Sequence, residues 1–204
     1  MKWEQDLIKD IRTGTAWDDS DGNEGNRISR ESVSTYTHRE VTDCNRHALT
    51  EKFLTVRDNA RAVMEIGVCR NQEESFTYCF LNNKKLETIY IGIDMEDKSF
   101  LNDSGKNIYT IQRTSSDVDS NIEQMKSLGI TELDFILIDG LHSINQVLID
   151  WEYTRLLSPN GIVAFHDVSE HPGPYEFIRN LNTDIWNTEI LCKTDWGIGF
   201  SWKK

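Results

Sequence analysis

Two kinds of apolar pattern alternate along this chain. Short, near-continuous apolar runs occur at 62–66 (AVMEI), 88–93 (TIYIGI), 108–111 (IYTI), 133–138 (LDFILI) and 161–165 (GIVAF). Runs of this length, rich in β-branched residues, read as strands buried on both faces. Between them, apolar residues recur every three or four positions: Phe76, Cys79 and Phe80; then Val118, Ile122 and Met125, stopped by Gly129; then Ile144, Val147, Leu148 and Trp151. That spacing gives each segment one apolar helical face. A helix capped by Asp43, with Leu49, Phe53 and Val56 on one side, precedes the first strand. Asn71 with Glu74 forms a capping-box-like pair opening the next helix.

Pro159-Asn160-Gly161 reads as a turn into the fifth strand, and a helix after Pro174 aligns Tyr175, Ile178 and Leu181. The closing runs TEILCK and GIGFSW are separated only by Thr-Asp-Trp-Gly. They must pair as a hairpin, because parallel pairing needs a long crossover. Strand–helix repeated five times, with a final hairpin, predicts an α/β fold. It is a single-domain, Rossmann-like doubly wound sheet of about seven strands, mostly parallel, with a C-terminal antiparallel hairpin.

Residues 1–42 stand apart as an N-terminal helix and flap, leaving 43–204 as the α/β domain. Trp3, Leu7, Ile8 and Ile11 have helical spacing within residues 1–12. The Gly-, Asp- and Asn-rich stretch 13–27 cannot build a core; it is either a flap ordering over a ligand or a solvated insertion. Residues 27–40 are polar and read as irregular backbone lying over the domain.

Composition narrows the partners. The 204 residues carry 34 acidic and 22 basic side chains, a net charge of −12, with no Lys/Arg block. A nucleic-acid surface needs a concentrated basic face, so no nucleic acid is expected. The N-terminus MKWEQDLIKD has no apolar signal core, and no run approaches membrane-spanning length. No membrane association is expected, and the expected location is cytoplasmic. Cys44, Cys69, Cys79 and Cys192 contain no CxxC pair and read as reduced thiols, with Cys79 a small core residue.

In open parallel sheets, ligands bind outside the carboxyl ends of the strands. Here the last two parallel strands end on ionisable clusters: Asp139 with His142, and His166 with Asp167. Two acids and two imidazoles are thereby directed to one site. The first strand leads through Glu65 to Gly67, where the backbone can turn tightly. The absent Gly-Lys-Ser/Thr excludes a P-loop, and the absent later glycines exclude a dinucleotide fingerprint. Glu65 remains as an acid able to pair with a cationic amino-acid moiety.

Asp94, 27 residues beyond Gly67, sits where a carboxylate accepts both hydroxyls of a ribose, or caps a turn. Thr114, Ser115, Ser116 and Asp117 could bond an adenine edge, cap the next helix, or do both. His47 reads as structural or exposed, and His171 as a surface-loop residue near the site. Trp17, Tyr36 and Trp196 could wall an acceptor pocket or pack loops onto the domain.

The pattern EIG-x4, IGID, LDFILIDGLH and LLSPNGIVAFHDV, over residues 62–168, resembles the class I S-adenosylmethionine-dependent methyltransferases. More narrowly it resembles the small O-methyltransferase branch that includes macrolide-sugar O-methyltransferases and cephalosporin-hydroxylase-like proteins. The resemblance implies that 43–204 is a methyltransferase domain using S-adenosyl-L-methionine. Glu65 and Gly67 would border the methionine part of the cofactor, Asp94 the ribose, and Ser115 and Ser116 the adenine. A divalent cation, Mg²⁺ or Mn²⁺, would be held by Asp139, His166 and Asp167. Asp139 would also border the cofactor, and His142 would be the general base.

Arg70 and Asn71 depart from the family's glycine-richer first loop, and His166 stands where an acid is more usual. The implied reaction is O-methylation of a small-molecule acceptor such as a sugar. The alternative is a catalytically silent S-adenosylmethionine-binding protein, favoured by the glycine-poor loop. A nicotinamide-dependent oxidoreductase is disfavoured by the missing GxGxxG turn and the missing Tyr-x-x-x-Lys pair. The N-terminal helix and flap could pair copies into a homo-oligomer.

Overall fold

The five apolar runs form the parallel strands β1 (Ala62–Ile66), β2 (Ile89–Asp94), β3 (Ile108–Gln112), β4 (Leu133–Ile138) and β5 (Leu157–His166). These elements come from a computed structural model that describes residues 4–8, 41–69 and 75–204. The closing runs are β6 (Trp186–Leu191) and β7 (Ile198–Lys203), paired antiparallel; β7 also runs antiparallel to β5. The seven-stranded order is β3-β2-β1-β4-β5-β7-β6. The chain winds outwards from β1 to β3, returns to β4 beside β1, and winds out the other way. Connections therefore diverge from the carboxyl ends of β1 and β4, which opens a crevice there.

Successive strand residues point to opposite faces, and both faces are covered, which is why the strands are apolar throughout. One face packs Met64, Ile91, Ile136 and Val163 against Trp151 and Phe177. The other packs Val63, Phe135 and Ala164 against Leu49, Phe53 and Phe80. Helices α1 (Asp43–Leu54), α2 (Phe76–Leu81), α3 (Val118–Ser127), α4 (Ile144–Asp150) and α5 (Pro172–Arg179) supply the covers. Among the described residues no helix is long and apolar enough to cross a membrane.

Several local expectations are revised. The N-cap of α1 is Thr42, whose hydroxyl accepts from the Asn45 N–H at 3.3 Å, and Asp43 is the first helical residue. Helix α2 starts at Phe76 with Ser75 in the N-cap position; Asn71 and Glu74 lie outside the described residues. Pro159 to Gly161 do not precede β5 but form an excursion within it. Leu157 still pairs with Leu133, and the ladder resumes at Ile162 opposite Phe135. Helix α5 starts at Pro172 and buries Phe177 and Ile178, leaving Tyr175 half-buried.

Of the N-terminal segment, the described residues contain a 3₁₀ turn at Glu4–Asp6 and a bridge from Leu7 to Leu181; the rest of residues 1–12 lies outside the described residues. Asp6 accepts from the indole N–H groups of Trp186 and Trp151 at 2.9 and 3.2 Å. The flap and the polar stretch after it lie outside the described residues.

The expectation of four reduced thiols is overturned for two of them: Cys44 and Cys192 form a disulfide across 148 residues. The start of α1 lies against the β6–β7 turn, where Thr42 Oγ1 also donates to Asp195 Oδ2. Sequence spacing could not reveal a contact made through the tertiary fold. Cys69 and Cys79 stay outside any disulfide, with Cys79 half-buried beside α1.

At the crevice, Gly67 has φ +84°, and a Cβ there would lie 2.2 Å from the carbonyl oxygen of Asp139. Gly67→Ala meets both left-handed strain and backbone overlap. Its expected cost is at least about 2 kcal/mol of unfolding free energy, measured by denaturant titration. A near-neutral result would show that the β1 and β4 ends can separate freely.

Candidate active site

A cavity of about 490 Å³ opens over the carboxyl ends of β1, β2, β4 and β5. Its lining includes Glu65, Gly67, Asp94, Ser115, Asp139, His142, His166 and Asp167. Of the site residues expected from sequence, only Ser116 lies off this lining; it is exposed one residue behind Ser115. The ladder brings Ile66 opposite both Ile93 and Ile138, so the residues after β1, β2 and β4 meet at one level.

On the β1 side, Glu65 is 1% exposed and its Oε2 accepts from the Tyr90 and Thr77 hydroxyls. Thr77 in turn accepts from the Cys69 N–H at 2.9 Å, tying the loop after β1 to α2. Burial, opposed in part by these hydrogen bonds, pushes the Glu65 carboxyl up to about 8. With no cation beside it among the described residues, a carboxyl raised this far favours its protonated form at neutral pH and serves as a hydrogen-bonding post.

Asp94 closes β2. Its Oδ2 accepts from the Val68 N–H and its Oδ1 from the Glu96 N–H, both at 2.8 Å. Each oxygen keeps a second lone pair for a ligand hydroxyl.

The loop after β3 is braced from α4. Gln146 Nε2 donates to Ser115 Oγ at 3.0 Å, and Ser116 Oγ donates to Gln146 Oε1 at 3.1 Å. Asp150 anchors that amide, its Oδ1 accepting from Nε2 at 2.8 Å, and burial raises the Asp150 carboxyl to about 7. Tyr153 holds the same loop by donating to the Ser115 carbonyl at 2.7 Å. Gln146 was missed by sequence reasoning. Its signal was a polar pair, Gln146 and Asp150, one turn apart on a helix whose neighbours Val147 and Leu148 are apolar.

At the β4–β5 end the acids and imidazoles interlock. His166 Nδ1 lies 2.9 Å from Asp139 Oδ1 and 3.3 Å from Asp167 Oδ2. His142 Nε2 lies 2.8 Å from the same Asp167 oxygen. Burial disfavours a charged His166, but the Asp167 and Asp139 carboxylates more than offset it and hold the imidazole well above its ordinary value. Conversely, His166 and His142 overcome burial and hold Asp167 well below the usual carboxylate range. Asp167 adopts φ +60°, which turns the chain sharply at the end of β5 and aims its carboxyl back at both rings.

Two further residues shape this end. Asn45 on α1 approaches from the opposite side, Nδ2 at 3.3 Å from His166 Nε2. The Asn45 carbonyl oxygen is buried with no hydrogen-bond partner among the described residues. His171, expected at the surface, is 5% exposed and stacks on His142 with ring centroids 4.0 Å apart. The N–H groups of Glu170 and His171 donate to the Asp167 carbonyl, and the Ser169 N–H donates to the Trp196 carbonyl at 2.8 Å, folding the loop inwards. Close approach of α5 completes the fit: a Cβ on Gly173 would lie 2.1 Å from the His142 carbonyl oxygen.

Trp196 lines the cavity, whereas Trp17 and Tyr36 lie outside the described residues. His47 is exposed and pairs with Glu51 at 3.2 Å, away from the cavity.

The raised Glu65 value makes a linkage prediction. The native state keeps a proton that the unfolded state loses, so this contribution is full below about 4.5 and fades as pH rises through about 8. Glu65→Gln, which keeps an acceptor for both hydroxyls, should therefore gain in melting temperature over the parent as pH rises through that window. A difference independent of pH would place the proton elsewhere.

A methyltransferase-domain family profile matches residues 54–168, more than half of the chain. No curated protein sequence matches. Among solved structures, the chain is similar to the MycE methyltransferase of the mycinamycin biosynthetic pathway, in complex with Mg, S-adenosylhomocysteine and mycinamycin VI. The TM-score is 0.57 at 17% identity, over 77% of this chain and 48% of that one. This chain thus spans about half the length of that neighbour. CalS11, a TDP-rhamnose 3'-O-methyltransferase of calicheamicin biosynthesis, aligns with TM-score 0.59 at 14% identity, over 78% of this chain and 80% of that one. An rRNA methylase from Streptococcus thermophilus aligns with TM-score 0.54 at 13% identity, over 82% and 99% of the two chains. The profile match and the sheet order agree: the chain belongs to the methyltransferase-domain family, with the fold of the class I S-adenosylmethionine-dependent methyltransferases.

Proposed function

We propose that the protein transfers a methyl group from S-adenosyl-L-methionine to a hydroxyl of a small acceptor such as a sugar. The carrying observation is one cavity with two chemically distinct ends. Asp94 and Ser115 lie at one end, and the Asp139, His166, Asp167 and His142 cluster lies at the other. Glu65 and Gly67 border the methionine part of the cofactor, Asp94 the ribose hydroxyls, and Ser115 with Ser116 the adenine. The bound cofactor supplies a methyl group on a sulfonium, whose transfer requires the acceptor oxygen in line and close by.

The chain's own groups do the rest. Asp167 Oδ2 lies 2.8 Å from His142 Nε2, and Nδ1 of the same ring takes the acceptor's proton as general base. Burial of His166 and Asp167 at that end strengthens each polar contact.

A divalent cation fits this end. Adjacent donors around a metal bound at about 2.0–2.2 Å stand roughly 3–3.4 Å apart. His166 Nδ1 lies 2.9 and 3.3 Å from the Asp139 and Asp167 oxygens. A ligating Nδ1 requires a proton on Nε2; a half-turn of the Asn45 amide, whose Nδ2 now faces Nε2 at 3.3 Å, would bring its unpartnered carbonyl oxygen there as acceptor. Asp139, His166 and Asp167 would hold the ion, and a nitrogen among the donors favours Mn²⁺ over Mg²⁺. Such an ion lowers the pKa of a bound hydroxyl.

CalS11, named as a TDP-rhamnose 3'-O-methyltransferase, and MycE, solved with mycinamycin VI, together with the net charge of −12, favour a small acceptor over nucleic acid.

Calorimetry with S-adenosylmethionine and S-adenosylhomocysteine tests the first half of the reading. Both should bind, and Asp94→Ala should weaken them by about 1.5–3 kcal/mol, the scale of lost charge-assisted hydrogen bonds. No binding at high micromolar concentration would end the proposal. For the second half, His142→Ala and Asp139→Ala should each lower turnover by about 10²–10⁴-fold with cofactor affinity nearly unchanged. Full activity in Asp139→Ala, together with indifference to chelator, would remove the metal. Cofactor binding with no turnover on any hydroxylated acceptor would leave the silent cofactor-binding alternative standing.

A further inference from the structure

Asp167 serves two imidazole sets with a single oxygen. Towards β4 it meets His166 and Asp139; towards α5 it meets His142, which stacks on His171. The second set is a donor group in its own right. His142, Asp167 and His171 each offer one ligand atom, and these lie within 4.8 Å of one another. His142 Nε2 and Asp167 Oδ2, at 2.8 Å, are already near the separation of neighbouring ligands on a metal bound at about 2.0–2.1 Å. All three residues line the cavity, so an ion can arrive from solvent and keep coordination positions open on that side.

We propose that His142, Asp167 and His171 form a transition-metal site separate from the Asp139–His166–Asp167 set, one that takes Zn²⁺ or a similar borderline ion. Two imidazoles and one carboxylate suit Zn²⁺, Co²⁺ or Ni²⁺ and discriminate against Mg²⁺ and Ca²⁺, which prefer all-oxygen ligands. The backbone around the three residues is fixed: Asp167 by its turn at φ +60°, the His171 loop by its hydrogen bonds onto Asp167 and Trp196, and His142 by the close approach of Gly173. The His142 and His171 rings, stacked 24° from parallel, turn out of the stack so that one nitrogen of each faces the ion. With both sets filled, Asp167 bridges two ions, as carboxylates do in sites with metals roughly 3.5–4 Å apart.

The consequence for activity rests on the proposed role of His142 as base. An ion held through His142 removes that ring from proton transfer, so this site inhibits. Metal dependence then has two phases: stimulation where the Asp139 set fills, and loss of turnover as Zn²⁺ occupies the His142 set.

The test uses Zn²⁺ alone, titrated against a chromophoric chelator with the full chain, and Co²⁺ as a spectroscopic replacement. His171→Phe keeps a ring against His142 but removes the ligand nitrogen, and His171→Ala removes both. The parent chain should bind roughly two Zn²⁺, and both variants roughly one. The affinity of the lost site should fall at least about tenfold, the low end for disturbed metal surroundings. The visible Co²⁺ absorption of the second equivalent should vanish with it. Asp139→Ala should instead remove the other ion, so the two sets fail independently. Unchanged Zn²⁺ stoichiometry and Co²⁺ spectrum in both folded His171 variants would overturn the site. Equal Zn²⁺ inhibition of the parent and His171→Phe would overturn its inhibitory role.

Discussion

The close approach of β1 and β4 at their carboxyl ends is the constraint on which the site depends. Gly67 passes so near the Asp139 carbonyl that no side chain fits between them, and the Asp139 N–H donates back to Ile66 at 3.0 Å. This contact joins the two halves of the doubly wound sheet at its reversal point. It places the β1 loop, which lines the cavity, beside Asp139, which begins the acid–imidazole cluster. A residue with a Cβ at Gly67 would push apart two backbones, and the two ends of the cavity would lose their common level.

From that junction outward, each functional group is fixed by a partner that sequence order hides. Gln146 ties Ser115 and Ser116 to α4, Thr77 ties Glu65 to the β1 loop, and Asn45 reaches His166 from α1. The strongest coupling is among ionisable groups. Acids and imidazoles alternate from Asp139 through His166 and Asp167 to His142, so each charge is taken out of water only in company with its opposite. Such a cluster is costly to break by removing one member, because the remaining charge is left buried and alone.

The Cys44–Cys192 disulfide and the Thr42–Asp195 hydrogen bond clamp the start of α1 to the β6–β7 turn, which carries Trp196. Closing a loop of 148 residues restricts the unfolded chain strongly, a contribution of about 3–5 kcal/mol on chain-entropy grounds. The same clamp holds Asn45 against the site.

The sheet itself was legible in the sequence. Five apolar runs and a short-linked final pair are enough to specify parallel strands with an antiparallel edge, because buried strands must be apolar on both faces and a short turn permits only one pairing. Strand ends were legible for the same reason, so Glu65, Asp94, Asp139, His142 and Asp167 could be named as facing one crevice. What the sequence left open is everything that depends on contacts between distant segments. The burial of His171, the pairing of Cys44 with Cys192, the burial that raises the Glu65 carboxyl and the reach of Asn45 and Gln146 all arise where loops and helices close over the sheet. Hydrophobic periodicity reports which face of an element is buried; it carries no information about which polar group of another element will meet it there. That choice belonged to the tertiary structure alone, since only packing determines which donors, acceptors and charges are left to satisfy one another away from water.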